Sequence, residues 1–93
     1  MPSPIPDQVL LDRVAGHDAT ALIELQRRHG PSLYALVYSI LMDAARAERV
    51  VAEVFEQVWH GAELLIRRCH GADAWLRETA KERARATRAA TSR

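Results

Sequence analysis

The feature that most restricts this chain is the apolar spacing between Ala44 and Trp59. Ala47, Val50, Val51, Val54, Phe55, Val58 and Trp59 recur at i, i+3, i+4, i+7, i+8, i+11 and i+12. That pattern follows one face of a 3.6-residue helix and no face of a strand. Valine and phenylalanine are weak helix formers, so packing of the stripe, not propensity, must hold this helix. The opposite face carries Glu48, Arg49, Ala52, Glu53, Glu56 and Gln57. One side therefore belongs in a core, and the other is open to a partner.

Ninety-three residues make one small domain with one core. Residues 1–6 hold three prolines and read as an extended, mobile lead-in. Asp7 is placed to cap a short helix through Val14 that buries Val9, Leu10 and Val14. Gly16 stops it, and Asp18 caps a second helix with Leu22, Ile23 and Leu25, ending near His29 and Gly30. Pro31 suits the first turn of a third helix bearing Leu33, Leu36, Val37, Ile40 and Leu41. Asp43 caps the central helix. Arg67 to Gly71 reads as a loop, followed by an alanine-rich helix from about Ala72 to about Ala90. Its inner side is Trp75, Leu76, Thr79, Ala80 and Arg83, and residues 91–93 should fray. No segment shows the alternation of a strand. The expected fold is an all-α small helical bundle spanning residues 7–90, with about four main helices.

The net charge of +1 hides an asymmetry: from Arg67 onward the chain carries +5, and the remainder −4. Such a split points to an anionic partner for one end and a different partner for the other. The single cysteine, Cys69, excludes an internal disulfide and fits a reducing cytoplasm. No apolar run approaches the roughly 20 residues of a membrane span, and the start lacks the regions of a signal peptide. His60, Cys69 and His70 are of zinc-ligating types, but three candidates without a Cys-x-x-Cys pair do not make a metal site. No serine–histidine or cysteine–histidine spacing stands out, so neither an enzyme nor a cofactor is expected. Trp59 and Trp75 read as core-edge residues rather than stacking platforms, and Tyr34 and Tyr38 as packed or half-exposed.

Leu10 to Ala19 resembles the opening of region 2 in the extracytoplasmic-function (ECF) sigma factors of bacterial RNA polymerase. Glu24 to Tyr34 does so too. Glu48 to Trp59 is similar to the family's central region 2 helix, whose usual text is close to E-D-V-V-Q-E-V-F-x-x-V-W. Ala74-Trp75-Leu76 and Ala80 fall where the family has A-W-L-x-x-I-A-x-N, with no gap between Trp59 and Trp75. The resemblance covers nearly the whole chain, and its specificity lies in the order and spacing of the pieces.

What it implies is a non-catalytic helical domain that binds RNA polymerase core and promoter DNA in transcription initiation. The central helix, through Glu48, Arg49, Ala52, Glu53 and Glu56, would dock on the clamp helices of the β′ subunit. Arg67, Arg68, Arg77, Lys81, Arg85 and Arg88 would engage the non-template strand of the −10 element, where phosphates need cations and an unstacked base needs a pocket. An anti-sigma factor is a further candidate partner. Several positions depart from the family. Arg49 stands where it has an acid, Ala52 where it has glutamine, Glu82 where it has asparagine and Ala86 where it has aspartate. Leu65-Ile66 replaces the common Phe-Asp. These 93 residues also hold no second helix-turn-helix segment to read a −35 element. The alternative is a degenerate sigma-like module that keeps the fold but binds another protein through the altered face.

The stripe generates one direct test. Truncating Phe55 to alanine is expected to cost about 3–5 kcal/mol, comparable with the whole stability of so small a domain. Thermal denaturation of Phe55→Ala should show a largely unfolded protein, and an unchanged melting temperature would remove Phe55 from the core.

Overall fold

The computed structural model describes residues 5–68 and 71–91. They form four helices: α1 (Asp7–Ala15), α2 (Ala19–Leu41), α3 (Ala44–Arg68) and α4 (Ala72–Thr91). No strand occurs among the described residues. Met1–Pro4, Cys69, His70, Ser92 and Arg93 lie outside them, and with them the expectations for the lead-in, the tail and the Cys69–His70 pair.

Local chemistry sets the helix ends. Asp18 caps α2, its carboxylate accepting from the Thr20 N–H at 3.0 Å and the Ala21 N–H at 3.3 Å. Asp43 does the same for α3, accepting from the Arg46 N–H at 3.0 Å. Asp7 does not cap α1. Pro6 takes that position, and Asp7 is the first helical residue, with its carboxylate spent elsewhere. α2 closes on Met42, whose left-handed φ of 54° turns the chain into α3.

Two boundaries differ from the sequence reading. Gly30 and Pro31 do not separate two helices, because α2 runs straight through them. Proline within a helix costs one hydrogen bond and about 3 kcal/mol. Here Leu25 on one side of it and Leu33 and Val37 on the other are all buried, and that packing offsets the loss. α3 likewise extends beyond Trp59 through a non-helical residue, Gly61 (φ −127°, ψ 21°), and ends at Arg68. Arg67 and Arg68 are therefore helical rather than in a loop. The stripe simply continues after the kink, with Ala62 and Leu65 buried.

The core is the meeting of the four inward faces. Leu11 of α1, Leu25 of α2, Phe55 and Val58 of α3 and Leu76 of α4 line one apolar void of only about 10 Å³. So little space at the junction indicates near-native packing density. Val14, Val37, Val54, Ala80 and Ala84 are completely buried, and no polar side chain among the described residues is fully buried with them. Val9, expected inside, is instead exposed, and Leu11 takes the inward position; on α2, Ile23 is exposed and Ala21 is buried. Every pair of helices packs except α1 with α4, which barely meet.

A polar cluster joins α1 to α2 at the surface. Arg28 donates to Asp7 Oδ1 at 3.2 Å, to Glu24 Oε2 at 2.8 Å and to the Ile5 carbonyl. Arg27 donates twice to Glu24, at 2.9 and 2.6 Å. The hydrogen bonds from Arg27, then the one from Arg28, hold the Glu24 carboxyl down at about 2, against its ordinary 4.5. A depressed carboxylate stabilises the fold above its ordinary value and loses that contribution as pH falls through its folded value. Between pH 4.5 and 2, urea midpoints of the natural chain should therefore fall more steeply than those of Glu24→Gln. Parallel curves would show that the cluster adds nothing to stability.

Candidate protein and nucleic-acid interface

At 100° per residue, Glu48, Arg49, Ala52, Glu53 and Glu56 fall within about 140° of arc on α3, opposite the buried stripe. The structure bears out that arrangement. Glu48, Arg49, Ala52 and Glu56 are exposed, and Glu53 is half-buried. Between this face and α2 runs an open crevice of about 310 Å³, bordered by Leu22, Gln26, Ala52, Phe55, Glu56 and Trp59. Arg49 and Ala52, the two departures from the family pattern, both lie in solvent. Neither is held there by the core.

Glu53 is not wholly available. Arg83 reaches across from α4 and donates to Gln57 Oε1 through Nε at 3.2 Å and Nη2 at 2.9 Å. Its Nη1 lies 3.5 Å from Glu53 Oε1. The sequence reading placed Arg83 on the inner side of the last helix and Gln57 on the outer side of the central one. Gln57 is indeed exposed, and Arg83 is half-buried, because the two side chains meet at the rim between α3 and α4. No periodicity within one helix could have announced that pairing.

The cations expected on DNA divide into two groups. Arg77, Lys81, Arg85 and Arg88 share one flank of α4, on the opposite side of the buried Ala80 and Ala84 from Arg83. Arg77, Arg85 and Arg88 are exposed; Lys81 is half-buried, 3.5 Å from Glu78 Oε1. Arg67 is apart from them, exposed on the last turn of α3, while the side chain of Arg68 lies outside the described residues. One turn before Arg67, Leu64 is 57% exposed. It lines a crevice of about 270 Å³ with Gln57, His60, Gly61, Leu65 and Trp75. Trp59 and Trp75 are half-buried at the edge of the core, and Trp59 meets His17 edge-on at 5.6 Å. Tyr34 and Tyr38 stack on each other, 6.0 Å apart.

Among the described residues no three acidic, histidine or cysteine side chains come together to hold a metal. None of the described helices is long and apolar enough to cross a membrane. The arrangement offers two faces of different charge on one four-helix body, with open crevices beside them. Its chemistry is that of contact.

Comparison with known proteins agrees with that character. The chain is 36% identical over 75 residues to the protein described as ECF RNA polymerase sigma factor SigK of Mycobacterium tuberculosis. The SigK of Mycobacterium bovis matches equally well. The alignment takes in 81% of this chain and 40% of the relative, so the chain spans about two-fifths of the length of the curated relatives it matches. No family model matches it. No solved structure matches it either.

Proposed function

The chain is a homologue of part of an ECF RNA polymerase sigma factor, and on that premise we propose that it serves as a region 2 domain in transcription initiation. In this reading the exposed face of α3, Glu48 to Glu56, docks on the β′ clamp helices of polymerase core. The flank of α4 bearing Arg77, Lys81, Arg85 and Arg88 lies along the phosphates of the −10 non-template strand, and the domain works in the cytoplasm. An unstacked base would be held in the crevice between Leu64 and Trp75, with Arg67 and Arg68 following Leu64 in the last turn of α3. What carries the reading is one observation: a single four-helix body presents an acidic-to-mixed face on α3 and a cationic flank on α4, separately accessible.

Cations set against phosphates make affinity depend on salt, with a slope of about 0.7 per neutralised phosphate for a single strand. Fluorescence anisotropy with a labelled −10 non-template oligonucleotide should show binding that weakens steeply as salt rises. Arg77→Ala combined with Lys81→Ala should lower affinity and reduce that slope by about 1.4, two phosphate contacts' worth. A salt-insensitive interaction would overturn the nucleic-acid half of the reading. Failure of the chain to bind purified polymerase core would overturn the other half.

Arg49 favours a second reading. Its charge is reversed relative to the family's usual acid, and it stands exposed in the middle of the proposed clamp face beside Ala52. A sigma-like module that has left polymerase for another protein, such as an anti-sigma factor or a second copy of itself, would look like this. Arg49→Asp with Ala52→Gln separates the two. Core binding that appears only in the double variant favours the second reading, and core binding by the natural chain favours the first.

A further inference from the structure

The inward face of α2 steps by four residues through Ala21, Leu25, His29, Leu33 and Val37. Four of these are buried and apolar; His29 is the one polar member, its side chain 15% exposed. Its ring lies between two carboxylates from two other helices. Nε2 is 2.8 Å from Asp7 Oδ2 in the first turn of α1, and Nδ1 is 3.6 Å from Asp73 Oδ1 in the first turn of α4. On its own helix, Arg28 shares Asp7 through Oδ1 and is itself tied to Glu24. None of the described ion pairs joins His29 to α3.

We propose that His29 is a proton-operated clasp that fastens the first turn of α4 to α1. An ionised carboxylate only accepts hydrogen bonds, and a neutral imidazole has one N–H. A ring with an acidic oxygen near each nitrogen is attracted to both only as the doubly protonated cation, which donates to Asp7 at 2.8 Å and meets Asp73 as an ion pair at 3.6 Å. When one proton leaves, one contact must go. The bond to Asp7 is the shorter, and that carboxylate is also held by Arg28. Asp73 is 64% exposed and is easily rehydrated. Loss of the proton therefore frees the first turn of α4 from this contact, while the packing of α4 on α2 and α3 remains. Because α1 and α4 barely pack directly, little else replaces the link between them. The clasp precedes Arg77 and Lys81 by one to two turns, so its state sets how firmly the start of the cationic helix is held; its bearing on nucleic acid rests on the reading above.

The test needs neither DNA nor polymerase, so its failure is separate from failure of that reading. Trp75 N–H donates to the Gly71 carbonyl at 3.3 Å and reports opening of the first turn of α4. Its hydrogen-exchange protection, corrected for intrinsic rates, is measured on the full chain at about pH 6 and about pH 8, where carboxylates stay ionised. The expected result is about 1.5- to 5-fold greater protection at the lower pH, the size of a partly exposed ion pair. Asp73→Asn and His29→Gln should each remove the difference. His60→Gln should keep it, which matters because His60 lines a crevice with Trp75. A difference that survives Asp73→Asn, or that disappears in His60→Gln, overturns the proposal. Asp73 is an exposed residue, so its variant reads out the clasp even if His29→Gln weakens the fold.

Discussion

The structure depends on keeping water away from one side of α3. Val54 is fully buried, Phe55 and Val58 almost so, and each of the other helices contributes apolar residues to the same centre. A chain of this size has one interior, and among the described residues no polar side chain is fully buried in it. The described arginines, lysine and carboxylates all keep contact with water. The two faces that characterise the molecule are the hydrophilic sides of helices whose opposite sides are committed to the centre. Alanine has a part in this as well. Ala47, Ala80 and Ala84 are small enough to vanish entirely between neighbours, which lets helices approach closely where a larger residue would hold them apart.

Those parts of the fold that repeat along one helix were legible before any coordinates. The α3 stripe is one, and the capping aspartates Asp18 and Asp43 are another, because their chemistry is local. The Gly30-Pro31 pair misled for an equally physical reason. It is a strong local stop, and only the burial of Leu25, Leu33 and Val37 on both sides of it, a tertiary effect, carries the helix through. Val9 misled in the opposite sense. A short helix with several apolar residues offers more than one plausible inward face, and the rotation is settled by what it packs against.

The same division runs through the functional surfaces. Which residues of α3 and α4 face outward could be read from helical period, and the resemblance to ECF sigma factors is supported by SigK of two mycobacteria. Contacts between helices could not be read. Arg83 on Gln57 and His29 between Asp7 and Asp73 depend on how the helices are rotated against one another, to which spacing within one segment is blind. A faint signal for His29 existed in the four-residue step it shares with Leu25 and Leu33. The departures at Arg49 and Ala52 gain meaning from their position: both stand in solvent, so the core did not require them.

The break at Gly61 carries a different lesson. Its φ is negative, a region open to every amino acid, and a methyl group added there would meet nothing within 4 Å. The glycine permits the bend without being its author. What holds the terminal turns off axis is the seating of Ala62 and Leu65 in the interior. The angle at which Arg67 leaves the body is thus inherited from the protein's centre, and a substitution there would redirect the arginine without ever approaching it.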